Sequence, residues 1–285
     1  MPELPEVETI VRQLRPRLTG RTVQRAEVRW TRTVSRPSAR QFCAGLAGRR
    51  IEALRRRGKF FVFDLDDGRA LVGHLRMTGR LFVGRAPDEA FARVVFDLDG
   101  GERLVFSDVR KFGRLALVDR LDEATGAIGP EPLELDGGWL HAALRARRRR
   151  LKPLLLDQTF LAGLGNIYVD ESLHRARLHP LRPSDRVTRP QAEALAGAIR
   201  DTLARAIAAE GSSFDVFYRT PEGQPGAFQD EFAVYGRGGK ACRSCGATIR
   251  RLVVGQRGTH VCPKCQPAPR GAAGTARLAP RSSTH

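Results

Sequence analysis

The 285-residue chain has no run of about 18 apolar residues, which leaves no candidate transmembrane helix. No basic flank followed by an apolar core opens the chain, so no secretory signal is read and a cytoplasmic protein is expected. No internal repeat is present, which sets aside a repeat array. Acidic residues are scarce: 31 Asp and Glu face 49 Lys and Arg, for a net charge of +18. Such an excess says nothing about fold, but it points to a polyanionic partner, most simply nucleic acid. The plainer alternative is an arginine-rich proteome with a solvated basic surface. Cysteines number only five, and in a reducing compartment they do not read as disulfides.

What is present suffices for two domains and a sizeable core. Val7, Ile10, Val11, Leu14 and Leu18 repeat at helical spacing, so residues 6–18 read as an amphipathic helix, disturbed by Pro16 and stopped by Gly20. Residues 21–120 then change period. "KFFVFDLDDGRALVGHLRMTGRLFVG" and "ARVVFDLDGGERLVFSDVRKFGRLALV" alternate β-formers with Asp-Gly and Gly-Gly turns, which signals antiparallel hairpins. The expected class is α+β. A β-sandwich domain with its first helix is expected over 1–127, and a linker follows at 128–137. A helical domain is expected over 138–230, a small cysteine-bearing hairpin over 231–266 and a disordered basic tail over 267–285.

Four of the cysteines stand as Cys242-x2-Cys245-x16-Cys262-x2-Cys265. Two such knuckles present four thiolates, enough to close a tetrahedral Zn²⁺ site with no open position, so one structural zinc is expected. The competing reading is four free thiols or a redox pair. Cys43 stands apart and reads as a small buried hydrophobe. Between the knuckles the chain is β-rich, with turns expected at Gly255 and Gly258, placing Arg257 at a hairpin tip where it can reach a phosphate.

Three stretches share a direction: "PELPEVET" at the start, "LKPLLLDQTFLAGLGNIYVDESLHRARLHP" in the helical region, and "PGAFQDEFAVYGRGG" before the zinc unit. In this order they resemble the formamidopyrimidine-DNA glycosylases, bacterial enzymes that excise oxidised purines such as 8-oxoguanine. The resemblance covers residues 2 to about 265. It implies a β-sandwich lobe, a helix–two-turns–helix lobe with a zinc hairpin, damaged duplex DNA in the cleft between the lobes, and a monomer.

The resemblance also implies a chemistry that suits the residues. If Met1 is removed, Pro2 presents a secondary amine. Attack on C1′ of a damaged nucleotide would yield an iminium, an electron sink that drives β- and then δ-elimination. An α-amino group with a reference pKa of about 7.7–8.0 keeps a neutral fraction at cellular pH. Glu3 is implied as the acid that protonates the sugar ring oxygen, with Glu6 one turn on sharing its face. By residue type alone Glu3 is equally a helix-dipole acid. Lys59, in "RRRGKFFVF", is implied in proton transfer during elimination; otherwise it is one more surface cation beside Arg55, Arg56 and Arg57. Arg257 is implied in phosphate binding and δ-elimination.

A base inside a duplex must be flipped out and its place filled. The resemblance assigns Met77, Arg110 and Phe112 to filling it, with Arg110 on the orphaned cytosine. By composition alone Met77 and Phe112 are more simply core residues. His74, Arg147, Lys152, Asn166 and Tyr168 are implied DNA contacts, Asn166 and Tyr168 at a helix start suited to phosphate. Some of Arg147–Arg150 read equally as a solvated face. "RTPEGQPGAF" resembles the lid over the everted purine. Phe91 stands where the family often has a DNA-contacting His, leaving either Arg93 as a substitute or one contact missing. The alternatives are an endonuclease VIII-like glycosylase for oxidised pyrimidines and a non-catalytic zinc-dependent DNA-binding protein.

Overall fold

The computed structural model describes residues 1–84, 89–214, 217–270 and 277–278. Helix α1 (Leu4–Leu18) buries the whole Val7, Ile10, Val11, Leu14 and Leu18 stripe. Pro16 does not end it. The residue sits in the last turn, and the helix closes through Thr19 N–H on Arg15 O at 3.0 Å.

Nine strands follow among the described residues: β1 (Thr22–Val28), β2 (Val34–Arg36), β3 (Arg49–Arg57), β4 (Phe60–Leu65), β5 (Ala70–His74), β6 (Gly79–Val83), β7 (Ala92–Leu98), β8 (Arg103–Asp108) and β9 (Arg114–Val118). Their hydrogen-bonded order is β2-β9-β5-β4-β3-β1-β7-β8-β6. The β1–β3 link is only Thr22↔Arg50 and Val23↔Arg49, so the ribbon folds there into the two layers of a sandwich. Phe61 from one layer meets Phe106 from the other at 6.4 Å between ring centroids, inside a core that α1 completes. The hairpins expected at "LDDGRALV" and "LDGGERLV" are β4–β5 and β7–β8. Two features escaped the strand pattern. Helix α2 (Ala39–Leu46) is announced only by a Ser38/Gln41 capping box, and β2 pairs with β9 in parallel.

The chain divides into two compact units. The first comprises residues 1–128, including the short α3 (Asp122–Thr125), together with Ala206–Gln229. The latter stretch was expected in the helical domain. It belongs with the first unit because Glu6 accepts the Ser212 N–H at 2.8 Å and Tyr218 is buried in the sandwich core, its hydroxyl donating to Glu210 O at 3.0 Å.

The second unit holds α4 (Gly137–Arg145), α5 (Leu151–Leu155), α6 (Asn166–Arg175), most of α7 (Arg189–Ala208), and the hairpin β10 (Arg250–Val254) and β11 (Arg257–Val261). The expected linker is tied into this unit: Gly129 N–H donates to Gln158 O at 2.8 Å, and Ala162 N–H to Pro130 O at 3.1 Å. Of the tail expected to be disordered, Arg277–Leu278 forms a short strand, β12, on the β10 edge, while residues 271–276 and 279–285 lie outside the described residues. Among the described residues no helix is long and apolar enough to cross a membrane.

Candidate active site and nucleic-acid interface

Pro2 and Glu3 are buried, at an end of the chain that ordinarily frays. Glu3 is the N-cap of α1. Its N–H donates to Glu6 Oε2 at 2.7 Å within a capping box, and the other Glu6 oxygen holds Ser212 N–H. One carboxylate thus joins the start of the chain to the segment that follows α7. Gly211 has φ +82°, and a Cβ there would lie 2.9 Å from the Glu6 carboxylate, so this approach requires glycine.

Lys59 is buried as well, in the tight turn between β3 and β4. The turn is held to α1 by its neighbour. Arg56 Nε donates to Glu8 Oε2 at 2.8 Å and Arg56 Nη1 to Gly58 O at 3.0 Å. Burial raises the Glu8 pKa, but its hydrogen bonds to Arg12 and Arg56 more than offset this and hold it below the usual carboxylate range. The three consecutive arginines therefore do different things. Arg55 pairs with Asp64 at the surface at 2.7 Å, Arg56 clamps the turn, and Arg57 caps Ile128 O at 3.0 Å.

Met77 and Phe112 are 40% and 45% exposed, large apolar side chains on loop tips rather than in the core. Arg110 lies between them, with Nη1 3.4 Å from Met77 Sδ and Cζ 4.8 Å from the Phe112 ring centroid. His74 is buried. Burial, then the nearby charges of Arg76 and Lys59, push its pKa down to about 3, so the ring is neutral at cellular pH. Nδ1 accepts the Arg76 N–H at 2.9 Å, which leaves Nε2 as the N–H donor. His74 can thus offer a phosphate a hydrogen bond but no charge.

Arg93 does not replace the histidine absent at Phe91. It is buried, and its guanidinium is committed to Asp108 O at 2.7 Å and Ala90 O at 2.8 Å.

In the second unit, Asn166 opens α6 and donates through Nδ2 to Gly258 O at 3.0 Å, while its Oδ1 is buried and unpartnered. Arg147 is exposed and lies over the Phe160 ring at 5.2 Å; Arg149 pairs with Asp157 at 2.6 Å. Two expected DNA contacts fall elsewhere. Tyr168 is 0% exposed and belongs to the core of this unit, because position 168 of α6 faces inward. Lys152 is also 0% exposed, and its Nζ is paired with Asp170 Oδ1 at 2.7 Å and with Gly258 O at 3.1 Å. It holds the hairpin from beneath and presents no charge outward. Asp170, which carried no signal in the sequence, completes the arrangement by accepting His260 N–H at 2.8 Å.

The hairpin turns at Gly255 and Gln256, both at positive φ (56° and 61°), so Arg257 begins β11 and Gly258 lies within the strand rather than in a second turn. Arg257 is exposed. Its position depends on the Gly258 carbonyl, which Lys152 and Asn166 hold from two sides. Glu171 adds a further tether through three backbone N–H groups, those of Ala233, Val234 and Tyr235, at 2.8–3.0 Å. Burial nevertheless raises the Glu171 pKa.

The Sγ atoms of Cys242, Cys245, Cys262 and Cys265 lie within 4.8 Å of one another. Zn–S bonds of about 2.3 Å in a tetrahedron put sulfurs roughly 3.8 Å apart, and the Cys242–Cys265 and Cys245–Cys262 pairs stand at 3.9 and 3.4 Å. The four thiols fit one zinc with every position filled by protein. The buried His174 ring lies behind them, its Nε2 3.5 Å from Cys242 Sγ, as an outer-shell partner would.

Comparison with known proteins agrees with this architecture. Residues 1–115 match the N-terminal domain of formamidopyrimidine-DNA glycosylase, residues 128–217 its H2TH domain, and residues 239–268 a zinc finger found in FPG and IleRS. A curated formamidopyrimidine-DNA glycosylase of Heliobacterium modesticaldum is 47% identical, over 93% of this chain and 100% of its own. The crystal structure of the Thermus thermophilus protein of that type superposes with a TM-score of 0.84 at 43% identity, covering 94% of this chain and 100% of that one. The Lactococcus lactis protein, solved in complex with DNA containing Fapy-dG, gives 0.85 at 36% identity, with 93% and 100% covered.

Proposed function

The chain belongs to the formamidopyrimidine-DNA glycosylase family, and from that premise we propose that it excises oxidised purines from duplex DNA through Pro2 and then nicks the strand. The observation that carries this reading is the buried, pinned terminus. Pro2 is buried and the Glu3 that follows it is held by Glu6, on a helix that Glu8 and Arg56 fasten to the turn bearing Lys59. A catalytic amine at a chain end needs such anchoring, because a frayed terminus cannot hold an attack geometry.

The steps follow from the groups. Once Met1 is removed, the neutral Pro2 nitrogen attacks C1′, the bond from C1′ to the base nitrogen breaks, and the base leaves with its electron pair and takes up the proton that the alkylated Pro2 nitrogen gives up. Glu3 as the acid form gives a proton to the ring oxygen, the sugar opens, and the nitrogen lone pair completes a C1′ iminium. The iminium acidifies the 2′ proton, and Lys59 is the group for its removal. The 3′ phosphate leaves in β-elimination and the 5′ phosphate in δ-elimination, for which Arg257 is the phosphate ligand. Met77, Arg110 and Phe112 fill the vacated stack, and His74 and Asn166 serve as neutral donors to the backbone. Cys242, Cys245, Cys262 and Cys265 would hold a structural zinc, which cross-links the hairpin and takes no part in the chemistry.

The test is borohydride trapping on an 8-oxoguanine:cytosine duplex, with mass spectrometry of the N-terminus. Protein lacking Met1 is expected to form a covalent adduct. Protein retaining Met1, in which Pro2 is a tertiary amide, is expected to form none. Absence of an adduct from the processed protein overturns the reading, and faster excision of thymine glycol than of 8-oxoguanine would favour oxidised pyrimidines instead.

A further inference from the structure

We propose that Asp108 is a positioning residue that locks Met77, Arg110 and Phe112 into one preformed wedge. The inference rests on the duplex-opening role given to those three side chains above. It begins from topology. Strands β5 and β9 pair in one layer of the sandwich, and β6 and β8 pair in the other. The loop 75–78 runs from β5 to β6 and the loop 109–113 from β8 to β9. Both cross between the layers at the same end, and their flanks are held in register by His74↔Arg114 and Gly79↔Asp108. The wedge side chains are spread over both loops, so its shape depends on what joins them.

The join is the Asp108 carboxylate, 1% exposed. Oδ1 accepts from the hydroxyl of Thr78 on the first loop and from Arg110 N–H on the second at 3.2 Å. Oδ2 accepts Gly113 N–H at 2.7 Å, closing the second loop on itself. Arg110 N–H also lies 3.3 Å from Thr78 Oγ1, so hydroxyl, amide and carboxylate form one triangle. The backbone of Asp108 is fixed in turn by Arg93 Nε on its carbonyl.

Other groups of the second loop are committed too. Arg114 Nη1 takes the carbonyls of Lys111, Phe112 and Gly113 at 2.8–3.1 Å. Lys111, at φ +61°, places its Nζ 4.2 Å from the Trp30 ring. Gly113 has no room for a side chain, since a Cβ would meet Phe106 at 2.5 Å. These contacts set the backbone from which Arg110 and Phe112 project, and the Asp108 carboxylate ties that backbone to the first loop through Thr78. A wedge must push against stacked bases. One that is already ordered loses little freedom on insertion, whereas one that must be ordered then loses part of its binding energy to doing so.

Asp108→Asn keeps the shape but replaces an acceptor oxygen by an N–H₂, which faces donors on either side. Thr78→Val removes the hydroxyl with little change of volume. The assay compares single-turnover excision of 8-oxoguanine from a duplex with cleavage of a single-stranded oligonucleotide carrying an abasic site, where no stack has to be opened. Asp108→Asn is expected to slow duplex excision roughly 10- to 100-fold and single-strand cleavage less than about threefold. Thr78→Val should shift the same ratio in the same direction. On a Met77→Ala background the Asp108→Asn effect on duplex excision should shrink, because both act through one wedge. Equal loss on both substrates would make Asp108 a general stabiliser and overturn the proposal, as would unchanged duplex excision. A wild-type enzyme inactive on both substrates would overturn the function proposed above and this inference with it.

Discussion

Replacing Lys152 by methionine separates two physical roles that a basic residue can have here. Lys152 Nζ is fully buried against Asp170, with Gly258 O as its second acceptor. The substitution preserves most of the apolar stem and deletes the charge. Gly258 O keeps its hydrogen bond from Asn166, and Asp170 keeps that from His260 N–H, so the main loss is the counter-charge of a buried carboxylate. Stranding such a charge costs about 3–5 kcal/mol. For a unit of this size that corresponds to a fall in melting temperature of roughly 10–20 °C. Lys152→Met combined with Asp170→Asn removes both charges and should recover most of the loss, a coupling that a double-mutant cycle measures. The assay is thermal unfolding of the zinc-loaded protein, followed by DNA affinity over a salt series. Were Lys152 a phosphate ligand, the melt would be unchanged and the slope of log K against log salt would lose about one unit. That pattern would refute the burial argument.

Other perturbations test other parts. The His74 pKa falls to about 3 in the folded protein, against about 6.5 unfolded, so the unfolded chain binds the extra proton first. Its contribution therefore holds above pH 6.5 and is lost as pH falls from there toward 3; the wild-type stability profile should be steeper in that window than that of His74→Gln. Gly73→Ala sets a Cβ 1.9 Å from the Phe61 ring, and the overpacking should destabilise the sandwich by about 1–3 kcal/mol in a denaturant melt. Zinc chelation or Cys245→Ser should unfold the hairpin, release Arg257 and abolish DNA binding in a gel-shift assay, while the β-sheet signal in circular dichroism persists.

Patterns that live along the chain were open to reading from it. The Val7–Leu18 stripe, the two Asp-Gly and Gly-Gly hairpins and the paired cysteine knuckles each depend on residues near in sequence, where spacing alone dictates geometry. Family likeness then named Pro2, Glu3 and Lys59, though local pattern left them as a helix-start acid and one cation among several. What a side chain does among distant neighbours was decided only by the tertiary fold. Lys152 and Tyr168 looked like ligands for DNA and are buried, because the faces of α5 and α6 are assigned by packing and not by residue type. Residues 206–229 left the helical domain because Glu6, some 200 positions away, holds Ser212. Asp108 and Asp170 carried no signal at all. A buried carboxylate matters through the donors it gathers, and those of Asp108 come from two loops that only the folded sandwich brings side by side.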